Sequence, residues 1–182
     1  FETAIRLDPN LAVAHVVFGG IIEGVMEWNW SLAESRCRKA IALDPRSPQI
    51  RSVFGVLLSV VGRHDEAVVM YRRAVELDPL GPVWNAFLIE GLLGRRDWAG
   101  ALQQAESTLE VAPEYWFALQ FAGQAHAASG RWDEAIAKFE RAVAASAEVP
   151  YAIGLLGNAL AKAGRRDEAR QQLAKLRARA ES

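Results

Sequence analysis

Cysteine is almost missing from this sequence. The single thiol, Cys37, rules out an intrachain disulfide. Its place in a helical apolar stripe reads as a small core residue, not a nucleophile. Charge of one sign is missing too. Twenty-one basic side chains against 22 acidic ones leave a net charge of −1. That balance lacks the basic surplus that nucleic acid or an anionic membrane surface attracts. Apolar runs such as residues 53–61 fall short of the ~20 residues that span a bilayer, and this one is interrupted by Gly55 and Ser59. No signal peptide is visible. The chain opens in mid-helix without a methionine, so it is expected to be a piece of a longer protein, and a cytoplasmic location is the expectation for it.

Catalytic and metal-binding patterns are scarce as well. His15, His64 and His126 lie far apart, with no pair at zinc-ligand spacing. The pair Gly19-Gly20 has no lysine at the distance a phosphate-binding loop needs. Asp65-Glu66, Asp133-Glu134 and Asp167-Glu168 look like paired carboxylates. Adjacent helical residues point apart, however, and each pair opens a helix, where acidic groups suit unpaired N–H donors. Arg72-Arg73, Arg95-Arg96 and Arg165-Arg166 read as solvated surface. No catalytic residue, cofactor or metal is expected.

Repetition is what the sequence has in abundance. GRHDEAVVMYRRAVELDP begins at Gly62, GRWDEAIAKFERAVAAS at Gly130 and GRRDEARQQLAKLRARA at Gly164. Pro9, Pro45, Pro79 and Pro113 close successive repeats at spacings of 36, 34 and 34 residues. The spacing of 36 predicts two extra residues near Trp28-Asn29-Trp30. The spacing of 32 between Gly62 and Gly94 predicts a first helix two residues shorter in the third repeat. Pro150 stands where Ala147 would close a repeat, so that linker departs from the pattern.

Each repeat reads as two helices. Between residues 46 and 79, Ile50, Phe54, Leu57, Leu58 and Val61 recur at helical spacing, and Gly62 ends that helix. Ala67, Tyr71, Ala74 and Val75 line the second helix until Asp78-Pro79 stops it. Gly55, Ala67 and Ala74 let the two helices approach closely. With 51% hydrophobic residues, 182 residues can bury a sizeable core. Helices this short depend on their neighbours. The expected array is a half-repeat over 1–9, then helix pairs over 10–45, 46–79, 80–113, 114–147 and 148–182. Either Ala99 or Ala101 can be the small residue of the third second-helix. Phe1, Ala4 and Ile5 would form an apolar N-terminal edge. Gln171, Gln172, Lys175, Arg177 and Arg179 would give the last helix a polar, capping face.

The pattern resembles the tetratricopeptide repeat family. The resemblance rests on first-helix Gly19, Gly55, Gly123 and Gly157, turn Gly62, Gly130 and Gly164, second-helix Ala33, Ala67, Ala135 and Ala169, the closing prolines, and aromatic Tyr71 and Phe139. It implies an all-α, right-handed superhelical solenoid of antiparallel helix pairs, with first helices lining a concave, peptide-binding surface. The residues it places there are Gln49, Ser52, Trp84, Glu90, Trp116, Phe117, Gln120, Gln124, Tyr151 and Asn158. Trp30, Trp98 and Trp132 recur just after the middle turn, which points to packing between helices. Chaperone-binding relatives hold a peptide carboxylate with basic residues. Here those places carry Ser52, Val56, Gln120 and Gln124, which argues against such a clamp.

The wording also resembles bacterial arrays fused behind a DNA-binding or kinase domain. A non-catalytic scaffold for a protein or peptide, contacting neither nucleic acid nor membrane, is the leading expectation. Homodimerisation through the N-terminal edge is the second, and a small-ligand receptor or enzyme a remote third.

Overall fold

The structure, a computed structural model, describes residues 2–19, 24 and 26–180. Phe1 of the expected apolar edge, Gly20, and residues 21–23 and 25 of the expected first long helix lie outside the described residues. Eleven helices and no strand are found among the described residues. They fall into two compact units, Phe1–Arg95 and Arg96–Ser182.

The N-terminal unit holds α1 (Glu2–Leu7), α2 (Ala12–Val17), α3 (Trp30–Leu43), α4 (Pro48–Val60), α5 (His64–Leu77) and α6 (Pro82–Gly94). Successive helices pack on one another, and α4 also touches α2 and α6. The C-terminal unit holds α7 (Trp98–Val111), α8 (Trp116–Ala128), α9 (Trp132–Ala145), α10 (Pro150–Lys162) and α11 (Arg166–Ala180). Each of these also packs on the next. The boundary between the units falls inside the third helix pair.

The helices start where local chemistry allows. Pro48, Pro82 and Pro150 occupy first-turn positions, where a missing N–H costs nothing. The side chains of Asn29, Ser47 and Asp97 accept from the backbone N–H three residues on. Between the two helices of a pair the chain turns through the left-handed region. Gly62, Gly130 and Gly164 do so at φ +80°, +73° and +81°.

Two expectations are corrected at that turn. Arg96, at φ 60°, takes the same place in the third repeat, and α6 has the same 13 residues as α4. The first helix is therefore not shortened, and Gly94 is simply its last residue. In the first pair Trp28, at φ 58°, holds this place, and α3 matches α5 at 14 residues. The two extra residues of the 36-residue spacing thus lie upstream of Trp28, where residues 18, 19, 24 and 26 have the wider π winding that accommodates an insertion. Register in the third repeat is also settled: Ala101 is fully buried and Ala99 exposed.

Packing follows from pairing small with large. The Tyr71 ring is wedged between two first helices. A Cβ on Gly55 would come within 2.4 Å of it, and one on Gly91 within 2.7 Å. Phe139 fills the matching place against Gly123, where a Cβ would approach to 2.6 Å. The core of the C-terminal unit gathers Ala135, Ile136, Phe139, Ile153, Leu156 and Leu160, with Trp132 packed against it. Cys37 is fully buried. Val68, which is not on the expected inner face, is buried at 1% exposure, while Val75 is only half-buried.

The last helix is only partly the expected cap. Lys175 and Arg179 pair with Glu148 at 3.6 and 2.8 Å. Gln172, expected on the outer face, is half-buried. Its Oε1 is buried with no partner. Between α10 and α11 an apolar groove of about 480 Å³ stays open, lined by Gly154, Ala161, Leu173 and Leu176.

Candidate interaction surface

The second residue of each full first helix is exposed. In the N-terminal unit these residues are Gln49 and Val83; in the C-terminal unit they are Phe117 and Tyr151. They are spaced 34 residues apart, so the same place faces solvent in each of these four helices. Phe117 and Tyr151 are 38% and 57% exposed, a large apolar area to leave in water.

In the N-terminal unit the surface is built on α4 and α6. Along α4, Val53 and Val56 are half-buried and Val60 is 54% exposed. On α6, Val83, Phe87 and Glu90 follow at helical spacing, and Phe87 is stacked on Tyr71 with ring centroids 5.8 Å apart. The Tyr71 hydroxyl lies 3.3 Å from Ser59 Oγ. Burial pushes the Tyr71 phenol up to about 12, so it stays protonated. Glu90 reaches solvent, but its apolar surroundings raise its carboxyl above the usual carboxylate range. Among the described residues Glu90 has no hydrogen bond or ion pair.

In the C-terminal unit an aromatic cluster surrounds the start of α8. Trp116 stacks on Phe117 at 3.8 Å, and Tyr115 and Phe121 lie 5.8 and 6.3 Å from the same ring. Gln124 is half-buried below it, and Asn158 is exposed on α10 at the rim of the apolar groove.

Three expected surface residues sit elsewhere. Ser52 and Gln120 are 1% and 3% exposed, and Ser52 Oγ and Gln120 Oε1 have no partner. A first helix packed between neighbours buries a wider arc than its apolar stripe, and polar side chains inside that arc go under with it. Trp84 is half-buried, and its indole N–H donates to Asp78 Oδ2 at 2.9 Å. It staples the closing loop to α6 and so is not free as an anchor.

The structure also shows a device that the sequence pattern hides. Six residues after each of three closing prolines, a side chain returns to the proline carbonyl. His15 reaches Pro9 O at 2.8 Å, Arg51 reaches Pro45 O at 2.6 Å, and Asn85 reaches Pro79 O at 3.1 Å. A carbonyl only accepts, so His15 Nε2 carries the hydrogen. In the fourth repeat this place is Leu119, and Arg141 of α9 reaches Pro113 O at 2.8 Å instead. A histidine, an arginine and an asparagine share no residue signature, so no sequence pattern reveals the device.

Several charges elsewhere are paired on the surface. Arg63 bonds Glu34 of α3 and Glu66 of α5, both at 2.6 Å. Its hydrogen bonds hold both carboxyls below their usual range. His126 is 8% exposed, and burial lowers its pKa. Among the described residues no group of three or more His, Cys, Asp or Glu could hold a metal ion, and no helix is long and apolar enough to cross a membrane.

Three sequence models, each described as tetratricopeptide repeat, match residues 54–79, 88–153 and 126–182. The chain belongs to the tetratricopeptide repeat family. No curated protein matches it. Solved tetratricopeptide repeat structures do. TTC0263, a thermophilic TPR protein of Thermus thermophilus, is 20% identical at a TM-score of 0.76, over 91% of this chain and 89% of that one. PilW, a type IV pilus biogenesis factor, is 19% identical at 0.81, over 97% and 81%. YrrB, a TPR protein with an unusual peptide-binding site, is 22% identical at 0.63, over 97% and 90%. At these identities the likeness shows the fold: all-α, built of tetratricopeptide helix pairs.

Proposed function

We propose that this tetratricopeptide repeat chain is a non-catalytic scaffold that holds a peptide or protein segment against its first helices. One observation carries the reading. The second residue of each full first helix is exposed at 34-residue intervals, and two of those places carry Phe117 and Tyr151. Exposed aromatic rings lose little conformational entropy on contact, and they supply much of the binding energy at protein interfaces. YrrB, a neighbour in fold, has a peptide-binding site, which supports the same use of the architecture here. In the N-terminal unit the contact residues are Gln49, Val83, Phe87 and Glu90, and in the C-terminal unit Phe117, Gln124, Tyr151 and Asn158. Buried Ser52 and Gln120 and stapled Trp84 are left out, and Trp116 supports Phe117 from below.

Peptides selected from a random display library supply the test. Those that bind the native chain should lose roughly tenfold or more in affinity on Phe117→Ala with Tyr151→Ala. Unchanged affinity in the double variant would refute the assignment.

A second reading, association of two copies through the N-terminal edge, has Leu7 in its favour, 80% exposed on α1. Sedimentation of native chain and Leu7→Glu at rising concentration separates the two. A dimer lost in the variant supports the second reading, and a monomer at all concentrations refutes it.

A further inference from the structure

The first helices of the tetratricopeptide array carry almost no charge. In the N-terminal unit α4 contributes only Arg51 and α6 only Glu90; α8 has no acidic or Lys/Arg residue, and α10 has only Lys162 at its end. Glu90 is thus the one carboxylate on these four helices. Arg51 does not neutralise it, because its guanidinium bonds Pro45 O, with Arg73 and Glu76 as its charged neighbours. The Tyr71 hydroxyl near Glu90 is tied to Ser59. Phe87 lies one turn before Glu90 on α6, and α4, which packs on α6, carries the half-buried Val56 and the exposed Val60.

Glu90 reaches solvent, but its apolar surroundings remove part of its hydration, and a cation from a bound segment would offset that loss. We propose that Glu90 is the receptor for a basic side chain, lysine or arginine, of the bound segment. The aliphatic stem of such a residue packs on the apolar side chains of this face, and its cation pairs with the carboxylate. Charge complementarity therefore names the ligand class: a segment with a basic residue flanked by apolar ones. This inference rests on the peptide-holding function proposed above.

The test uses short capped peptides that alternate leucine with arginine, with citrulline or with glutamate. Citrulline keeps the shape of arginine and removes its charge. Titrated into the intact chain, the arginine peptide should bind roughly tenfold tighter than the citrulline peptide, and the glutamate peptide weakest. Glu90→Gln should abolish the arginine advantage while leaving the helical circular dichroism unchanged. Glu110→Gln, which removes an exposed carboxylate on α7, should leave the advantage intact. Equal affinity for the arginine and citrulline peptides, an advantage that survives Glu90→Gln, or one that Glu110→Gln removes equally, overturns the assignment of Glu90 alone. Failure of all three peptides to bind takes the peptide-holding function down with it.

Discussion

The middle turn gives the sharpest test of how backbone geometry is distributed along the chain. Gly62, Gly130 and Gly164 sit at positive φ, and a Cβ built on any of them meets no atom within 4 Å. Substitution there meets no clash, only the intrinsic cost of the left-handed region, about 1–2 kcal/mol for a residue with a Cβ. A residue other than glycine also narrows the unfolded ensemble, which returns about 0.4–1 kcal/mol. Gly62→Ala should therefore destabilise by about 1 kcal/mol. Arg96 already bears this cost at φ 60°. Arg96→Gly should stabilise by a similar ~1 kcal/mol, and Arg96→Ala should change little because alanine bears the same strain. Urea unfolding followed by helical circular dichroism measures all three. If Arg96→Gly and Arg96→Ala are equal, or if Gly62→Ala is neutral, the turn does not have the strain assigned to it.

Further consequences are as specific. Gly55→Ala places a Cβ 2.4 Å from the Tyr71 ring and should cost roughly 1–3 kcal/mol, partly restored by adding Tyr71→Leu. Gly154→Ala, in open space within a helix, should gain roughly 0.5–1 kcal/mol. Urea midpoints that rank these two the other way would mean the helix contacts are misread. For His126, a lowered folded pKa favours the neutral ring, so its contribution to stability is present above about pH 6.5 and is lost as pH falls through the folded value. The charges around it are mixed, with Arg131 and Lys138 against Glu134 and Glu106, so burial sets the direction. His126→Gln should flatten the fall in stability between about pH 7 and pH 5; an unaltered slope would place the titration elsewhere.

Much of the fold was legible because each repeat writes the same physics in the same place. The apolar spacing of Ile50, Phe54 and Leu57, the turn glycines and the prolines locate the helices with little ambiguity. Misreadings arose where one rule stood in for another. Gly94 looked like the turn glycine because glycine favours positive φ, yet register assigns that conformation to Arg96, and the chain tolerates the strain. Ser52 and Gln120 looked like groove residues because they are polar. Whether a polar side chain on a first helix is wet depends on how neighbouring helices close over it, which one helix's periodicity does not encode. Phe117 and Tyr151 were legible as surface candidates through the family resemblance, but only the structure separates them from Trp84, since an aromatic at a helix start is equally at home in a core. Glu90 was visible in sequence as a groove residue. Its isolation was not, because it takes the hydrogen-bond and ion-pair pattern of the whole surface to show that nothing answers its charge.

The most direct measurement is site-specific photo-crosslinking. A photoreactive phenylalanine analogue at Phe117 or Tyr151, on the first helices, should trap a bound protein segment as a discrete covalent adduct. The same analogue at Val69 or Val111, exposed on second helices at 58% and 61%, should trap none. Adducts from the second-helix positions with none from Phe117 or Tyr151 would contradict the assignment of the binding face.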